Sequence, residues 1–164
     1  MTVSKPVLLA EHHVLDDFDC GEQALDDWLK LRARKNESRF SRTYVVCDGD
    51  RVVAFVCIAA GSIERHTAPA RLRRNAPGTI PVSVIGRLAV DKGYTGLGLG
   101  ADLLSDALRR ISAAAQTIGI AAVLVQAKDE IAKRFYLACA EFIEYPADSR
   151  TLFLPIETVV AAFG

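Results

Sequence analysis

Hydrophobic and polar residues follow two different periods along the chain, and each period predicts a different kind of element. Short apolar runs rich in β-branched residues are typical of strands, and they lie at Val7–Ala10, Thr43–Cys47, Val52–Ala59, Val82–Val90 and Ala121–Ala127. Asp48 and Gly49 join the second run to the third. An Asp-Gly pair between two such runs predicts a β-hairpin.

Apolar residues recur at intervals of three and four in segments between these runs, which is typical of amphipathic helices. The intervals predict helices at about 21–35, from Leu99 to Ala115, from Glu130 to Cys139 and, as a last turn or two, at Ile156–Phe163. Asp19 and Glu22 have the spacing of a capping box before the first helix. In the third helix, the residues expected to face inward are Ile131, Phe135 and either Leu137 or Ala138.

The order of these elements predicts an α/β fold. Val82–Val90, the helix after it and Ala121–Ala127 form one strand–helix–strand unit, which we expect to be parallel and right-handed. Phe142–Tyr145 and Thr151–Leu154 predict a closing hairpin with its turn at 146–149. Residues 61–80 combine Pro and Gly with basic residues, so they are expected to form a long loop, with or without a short helix.

The length and composition are those of one ordinary globular domain. The chain has 164 residues, of which 51% are hydrophobic and 24% charged. Wholesale disorder is therefore excluded, and a single domain spanning 1–164 is expected. No apolar run approaches the ~20 residues of a membrane span, and Val7–Ala10 is too short for the core of a signal peptide. We therefore expect a cytoplasmic protein without a membrane partner.

The four cysteines and three histidines do not have the spacing of a metal site. Cys20, Cys47, Cys57 and Cys139 form no CxxC pair, and three of them lie in apolar surroundings. Buried, reduced thiols are therefore expected in place of a zinc site or a disulfide framework. We expect no bound metal.

The formal net charge is zero, which argues against indiscriminate binding of polyanions, but the charges are segregated along the chain. Residues 11–27 are acidic, whereas residues 30–42 and 65–74 are basic. Such blocks mark either a partner surface or a solvated helix face and a mobile loop, and the sequence leaves both open. The basic residues that would bind an anionic partner are Lys30, Arg34, Lys35, Arg71, Arg73 and Arg74.

Three alternating glycines, Gly96, Gly98 and Gly100, stand between a predicted strand and a predicted helix. Glycines allow several backbone N–H groups to converge, and a helix N-terminus adds positive potential, so this turn is suited to phosphate. Gly96–Ala101 also matches the GxGxxA fingerprint of dinucleotide-binding folds, but such a fold needs more parallel strands after the turn than remain here. The open alternatives are the pyrophosphate loop of acetyl-coenzyme A enzymes and a tight turn without a ligand.

Leu88–Asp91 followed by Gly96–Gly100 resembles the core motif of the GCN5-related N-acetyltransferase (GNAT) superfamily, and the order of elements agrees with that fold over nearly the whole chain. More narrowly, several segments resemble the acetyltransferase toxins of bacterial toxin–antitoxin pairs. These segments are 18–21, 25–29, 42–45, 59–62, 80–82, 86–91 and 100–104. The resemblance implies a mixed central sheet with a splayed pair of parallel strands, flanked by helices.

The resemblance also implies an activity and partners. Such toxins acetylate the α-amino group of aminoacyl-tRNA with acetyl-coenzyme A and thereby block translation. Their partner is a small DNA-binding antitoxin, here expected to be a ribbon-helix-helix protein, and a homodimer is implied. The residues implied to bind the coenzyme are Leu88, Ala89, Val90, Thr95, Gly96, Leu97, Gly98, Leu99, Gly100, Ala101 and Asp129. Thr95 stands where the superfamily usually has Gln or Arg, and Asp129 stands where an Asn often begins the helix.

The chemistry of acetyl transfer calls for a proton donor. An amine attacks the thioester directly, and the thiolate that leaves needs a proton, which a phenol supplies as a general acid. We predict that Tyr136 is this acid; the alternative is a buried tyrosine that anchors its helix. An α-amino group with a pKa of about 8 is already partly neutral, so no dedicated base is predicted.

Arg87 lies within an otherwise apolar strand, where an arginine is rarely buried without a partner. It is expected either to bind the acceptor, next to a phosphate or the aminoacyl ester, or to form a structural ion pair. Two rival functions also stay open at this point. One is an acetyltransferase of the same fold that acts on a small-molecule or peptide amine. The other is a nucleotide- or tRNA-binding module without catalysis.

Overall fold

The computed structural model describes residues 2–37, 39–146 and 148–164. Within these residues a sheet is built from the strands β1 (Val7–Leu8), β2 (Arg42–Asp48), β3 (Arg51–Glu64), β4 (Thr79–Val90), β5 (Ala122–Gln126), β6 (Ile143–Tyr145) and β7 (Asp148–Pro155). The α-helices of the same residues are α1 (Gln23–Leu31), α2 (Ala33–Asn36), α3 (Ala70–Arg73), α4 (Leu99–Ala114), α5 (Glu130–Cys139) and α6 (Ile156–Phe163). Single turns of 3-10 helix lie at Arg65–Thr67 and Lys92–Tyr94.

The sheet has the strand order β1-β2-β3-β4-β5-β7-β6 and is mixed. The pairs β1/β2, β2/β3, β5/β7 and β6/β7 are antiparallel, whereas β4 and β5 are parallel. The parallel pairing joins Val82–Ile85 to Ala122–Val125, and β4 continues beyond it to Val90. A mixed sheet with a parallel pair, accompanied by helices, confirms the predicted α/β fold class.

The chain divides into two compact units. Unit 1 comprises Met1–Ala59 and Gly86–Ala107, and unit 2 comprises Ala60–Ile85 and Leu108–Gly164. The elements β3, β4 and α4 each begin in one unit and end in the other. The single domain expected from the length of the chain therefore stays a prediction.

The core of unit 1 is aromatic where α1 covers β3. Phe18 meets the ring of Phe55 edge to face at 5.5 Å, and Trp28 stacks on Phe55 at 6.0 Å between ring centroids. Leu29 is fully buried beside them. The single helix expected at 21–35 is two helices, because Arg32 has a φ of −119° and leaves the helical conformation between α1 and α2.

The core of unit 2 is formed by aliphatic side chains of β4 and β5 together with Phe153 of β7. Gly61, near the end of β3, explains why the loop predicted at 61–80 is partly wrong. A Cβ atom added there would lie 2.9 Å from Cγ2 of Val84, so the glycine permits close packing of strands. The predicted loop at 61–80 is thus partly a strand: β3 continues to Glu64, α3 follows, and β4 begins at Thr79.

The bounds of α4, α5 and α6 agree with the predicted helices to within one residue. The orientation expected for α5 was wrong, because Ile131 is 71% exposed and Tyr136 is the buried residue of that helix. In the closing hairpin, Asp148 and Ser149 belong to β7, whereas Ala147 of the predicted turn lies outside the described residues. The cysteines are all free, but only Cys47 and Cys57 are buried as expected, whereas Cys20 and Cys139 are partly exposed.

Thr43→Val is expected to raise the free energy of unfolding by about 1 kcal/mol. Thr43 is fully buried opposite Cys57 in the β2/β3 pair, and its Oγ1 has no hydrogen-bond partner among the described residues. A buried hydroxyl without a partner costs about 1–3 kcal/mol, and valine has the same shape without it. Urea unfolding measures the change. Thr43→Ser, which keeps the hydroxyl and loses the methyl group, should be less stable than the wild type. A loss of stability in Thr43→Val as large as that in Thr43→Ser would contradict the prediction.

Candidate active site

The glycine loop, defined here as Asp91–Gly98, connects β4 to α4 within unit 1. Gly96 and Gly98 both have a φ of +79°, a conformation that side chains rarely adopt. A Cβ atom added at either glycine would meet nothing within 4 Å, so the backbone faces open space there. The first N–H groups of α4 have no partner inside the helix and carry its positive dipole end. This geometry can receive the oxygen atoms of a phosphate.

The other residues predicted around this loop differ in what they offer. Leu97 and Ala101 are exposed and Leu99 is buried, so Leu99 anchors the start of α4 in the core. Thr95 Oγ1 donates a hydrogen bond to the carbonyl of Lys92 at 3.4 Å, which keeps the hydroxyl within the loop. Gly100 is half-buried in the first turn of α4. The loop therefore offers mainly backbone N–H groups.

The end of β4 before the loop has two different faces. Ala89 is buried in the core of unit 1, whereas Leu88 and Val90 are half-buried and point to the opposite face, because side chains alternate along a strand. Arg87 lies on the same face as Ala89, which is the face that α1 covers. Coenzyme binding by Leu88, Ala89 and Val90 stays a prediction.

Arg87 finds its partner in an aromatic ring. Its guanidinium carbon lies 4.4 Å from the centroid of the Trp28 ring. This is a cation–π contact between β4 and α1. Burial raises the pKa of the Cys57 thiol, and the positive charge of Arg87 is among the effects that partly offset this rise. A guanidinium has five N–H donors, so Arg87 can bind an oxygen atom as well. Sequence reasoning missed Trp28, although an arginine in an apolar strand signals that a partner must exist.

Tyr136 lies in unit 2, on the buried side of α5. Its ring meets Phe142 at 5.8 Å and Phe135 at 5.3 Å, both edge to face. Burial raises the pKa of Tyr136 to about 12, with a smaller effect of Cys139. The phenol therefore keeps its proton at neutral pH, which a general acid must do.

Asp129, also in unit 2, is the N-cap of α5. Its Oδ1 accepts the N–H of Ala132 at 2.8 Å, which satisfies one of the unpaired N–H groups in the first turn. This bond accounts for an acidic residue at the position without any ligand. Coenzyme binding by Asp129 stays a prediction.

The basic residues of unit 1 fall into two groups. Nη2 of Arg34 donates to the carbonyls of Ala10, Glu11 and His13, so this side chain fastens the segment before α1 to α2. Lys30 and Lys35 are exposed. Arg34 is exposed as well, but its Nη2 already binds backbone carbonyls, so Arg34 has a structural role in a basic block that sequence reasoning treated as uniform.

The basic residues of unit 2 divide in the same way. Nη1 of Arg73 donates to the carbonyl of Ala68 at 3.1 Å, and the carbonyl of Arg73 accepts from Nε of Arg65 at 3.5 Å. Arg71 and Arg74 are exposed. Arg73 is exposed as well, but its guanidinium already binds a backbone carbonyl, so Arg71 and Arg74 are the better candidates for contact with an anionic partner.

In the described part of the chain, no group of three or more His, Cys, Asp or Glu side chains is placed to hold a metal ion. None of its helices is long and apolar enough to cross a membrane.

The sequence model described as the Acetyltransferase (GNAT) family matches residues 9–142. The chain belongs to this family. It is 40% identical over 162 residues to a tRNA-acetylating toxin of Mycobacterium tuberculosis (strain ATCC 25618 / H37Rv), a match that covers 98% of this chain and 97% of the relative. As a GNAT protein it combines the mixed sheet and the glycine loop that the sequence motif predicted.

Solved structures of the AtaT toxin have a similar fold. AtaT complexed with acetyl-methionyl-tRNAfMet superimposes with a TM-score of 0.87 and 27% identity, covering 99% of this chain and 100% of AtaT. A mutant AtaT toxin bound to the C-terminus of the antitoxin AtaR and to acetyl-CoA has a TM-score of 0.82 and 26% identity, covering 99% of both chains. Structural relatives of this GNAT chain thus bind a charged tRNA, an antitoxin and acetyl-CoA.

Proposed function

We propose that this protein transfers the acetyl group of acetyl-coenzyme A to the α-amino group of aminoacyl-tRNA, and that it is the toxin of a toxin–antitoxin pair. The observation that carries the proposal is the 40% identity to a tRNA-acetylating toxin over 98% of the chain. Acetylation of that amino group removes the nucleophile that peptide-bond formation needs. Translation would therefore stop when the protein acts without its antitoxin.

The glycine loop supports the coenzyme half of the proposal. Gly96 and Gly98 leave open space where a Cβ atom would otherwise stand, and a pyrophosphate fits such a cradle. Thr95, Leu97, Leu99, Gly100 and Ala101 would complete this site through their backbone. The N–H and carbonyl groups of Leu88 and Val90 would bind the amide groups of the pantetheine arm, alongside Ala89.

Acetyl-coenzyme A supplies an acetyl group that is activated as a thioester. The bond that forms joins the amine nitrogen to the acetyl carbon, and the bond that breaks joins that carbon to sulfur. The departing sulfur needs a proton, and Tyr136 would donate the one on its Oη, which the raised pKa of about 12 keeps in place at neutral pH. The attacking nitrogen releases a proton to solvent, which can restore the phenol. Arg87, whose guanidinium lies over the ring of Trp28, would bind an oxygen atom of the acceptor.

Mass spectrometry of total tRNA after brief expression tests the proposal. Expression of the protein should produce acetylated aminoacyl-tRNA, and purified protein should transfer acetyl groups to charged tRNA faster than to free amines. Transfer to small-molecule or peptide amines, without transfer to charged tRNA, would favour an acetyltransferase whose substrate is such an amine. Binding of tRNA without any thioester cleavage would favour a module that lacks catalysis.

The exposed arginines Arg71 and Arg74 lead to a prediction about salt. Arg71→Glu/Arg74→Glu should raise the Michaelis constant for charged tRNA and flatten its dependence on salt, because each lost phosphate contact removes roughly 0.7–0.9 from the logarithmic salt slope. Transfer to a small amine should not change. Lys5→Glu, an exposed charge reversal outside the basic blocks, is the control and should leave the slope unchanged. Equal slopes in all three proteins would mean that these arginines only solvate the surface; Arg73 is avoided because of its bond to Ala68.

The partners and the location of the protein are proposed here in more detail than membership of the family gives. We propose that the antitoxin is a ribbon-helix-helix protein encoded beside this chain, that the chain forms a homodimer, and that it works in the cytoplasm. The support is the AtaT structure with the antitoxin AtaR, to which this chain is similar over 99% of its length. Co-expression with the neighbouring small gene should abolish toxicity, and light scattering of the purified protein measures the oligomeric state.

A further inference from the structure

Asp91 is a buried carboxylate directly after β4, and the acetyl transfer described above does not use it. The residue is 4% exposed. Its Oδ1 accepts the N–H of Gly93 at 2.9 Å, and its Oδ2 accepts the N–H of Asp19 at 3.0 Å. Nη2 of Arg51 lies 3.4 Å from the same Oδ2. One side chain thus joins the glycine loop, the segment before α1 and the start of β3, all within unit 1.

The segment Asp19–Glu22, defined here as the α1 lead, makes further contacts with the glycine loop. The N–H of Lys92 donates to the carbonyl of Asp19 at 2.8 Å, and Nζ of Lys92 lies 3.0 Å from Oδ2 of Asp19. This ion pair lowers the pKa of the Asp19 carboxyl and raises that of Lys92. Both Lys92 and Asp19 are exposed, so water weakens this ion pair more than it weakens the partly buried bond that Asp91 accepts from the N–H of Asp19.

The α1 lead is itself fixed to α1. The N–H of Cys20 donates to Oδ1 of the buried Asp26 at 3.0 Å. The same helix carries Trp28, on which the guanidinium of Arg87 lies. A continuous series of short contacts therefore runs from the glycine loop through Asp91 and the α1 lead to the ring that supports Arg87.

We propose that Asp91 is a positioning residue that holds the glycine loop and the α1 lead in one fixed arrangement, so that it controls binding of the coenzyme and of the acceptor together. The acceptor half rests on the proposed function, because it assumes that Arg87 meets the acceptor. The coenzyme half does not. Asp91 touches neither substrate; it acts through Gly93 on the loop and through Asp19 on the helix.

The substitution Asp91→Asn separates this role from simple packing. An asparagine has almost the same volume, but only one of its two terminal atoms accepts hydrogen bonds. Its oxygen can accept a hydrogen bond from the N–H of Gly93 or from that of Asp19. Its NH₂ group would then face the other N–H and could not accept from it. Asp148→Asn is the matched control, because both oxygens of Asp148 also accept hydrogen bonds, from the N–H of Arg150 at 3.0 Å and from Oγ1 of Thr151 at 2.8 Å, but the residue lies in unit 2, outside this series of contacts.

The first experiment follows amide hydrogen exchange with and without acetyl-coenzyme A. In the wild type and in Asp148→Asn, the coenzyme should slow exchange in the α1 lead as well as in the glycine loop. In Asp91→Asn, the slowing should be confined to the glycine loop and the start of α4. Slowing of the α1 lead in Asp91→Asn equal to the wild type would overturn the proposal.

The second experiment measures both affinities. Asp91→Asn should raise the dissociation constant for acetyl-coenzyme A and the Michaelis constant for charged tRNA, each by about 10-fold, with kcat at saturation nearly unchanged, since a hydrogen bond to a charged group is lost. Asp148→Asn should change neither constant. A folded Asp91→Asn protein with a lower melting temperature but unchanged constants would show a packing role and overturn the proposal. If the wild type binds the coenzyme but leaves charged tRNA unmodified, only the proposed function is overturned. Amide hydrogen exchange and the dissociation constant for acetyl-coenzyme A still test the role of Asp91.

Discussion

Tyr136→Phe is expected to reduce the rate of acetyl transfer by about 10²- to 10⁴-fold, the usual contribution of a general acid. The variant keeps the ring that packs against Phe135 and Phe142 and loses only the phenolic proton. The affinity for acetyl-coenzyme A should therefore stay within a small factor of the wild type. Steady-state assays with charged tRNA and calorimetry with the coenzyme measure the two quantities, and expression of the variant should not be toxic.

Tyr145→Phe is the matched control for this substitution. Tyr145 also lies in unit 2, and its hydroxyl donates to the carbonyl of Thr67 at 2.9 Å. Loss of that bond should lower stability slightly and leave turnover unchanged. If Tyr136 only anchors α5, Tyr136→Phe will keep near-normal turnover, and another group or water must protonate the sulfur. The raised pKa adds a further check: ionisation of Tyr136 should not reduce the rate between pH 7 and 10, because its pKa is about 12.

Gly98→Val is expected to weaken binding of acetyl-coenzyme A by about 100-fold or more. A side chain at this position would occupy the open space in front of the loop and keep the pyrophosphate from the backbone N–H groups. The loss of two hydrogen bonds to a charged ligand, at about 1.5–3 kcal/mol each, accounts for an effect of this size. Isothermal calorimetry measures the dissociation constant, and circular dichroism shows whether the variant is folded.

Gly49→Val separates the loss of the cradle from backbone strain. Gly49 lies in the β2–β3 hairpin of the same unit, has a φ of +63° and also faces open space. A valine in this left-handed conformation costs about 1–3 kcal/mol of stability at either glycine. Gly49→Val should therefore be destabilised like Gly98→Val while it keeps its coenzyme affinity. Similar losses of coenzyme affinity in both variants would contradict the prediction that the glycine loop binds the pyrophosphate.

The fold could be predicted from the sequence where a local signal and the three-dimensional packing agree. The helix α5 begins after Asp129 as expected, because that side chain caps it by itself. Its orientation could not be predicted, because Ile131 and Phe135 share one side of the helix, Tyr136 lies on another, and all three are hydrophobic. The ring of Phe142, which comes from outside the helix, packs on Tyr136, and Ile131 stays exposed.

The glycine loop could be predicted because its requirement is local: a positive φ at Gly96 and Gly98 needs glycine. The roles of the arginines could not be predicted, because the groups that bind Arg34 and Arg73 are backbone carbonyls. Every residue has a carbonyl, so no residue type in the sequence marks the partner. Asp91 was part of the recognised motif, yet its bond to the N–H of Asp19 joins residues far apart in the chain and is visible only after folding.

The two outermost strands of the sheet have a consequence for the behaviour of the protein at high concentration. β1 has two residues and β6 has three, and the pairing of β6 changes register between Glu144 and Tyr145. Another chain that added a strand at either edge would gain only a few backbone hydrogen bonds, too few to extend a fibril-like ladder. Two copies are therefore expected to associate through side-chain surfaces, and a concentrated sample should resist edge-to-edge aggregation.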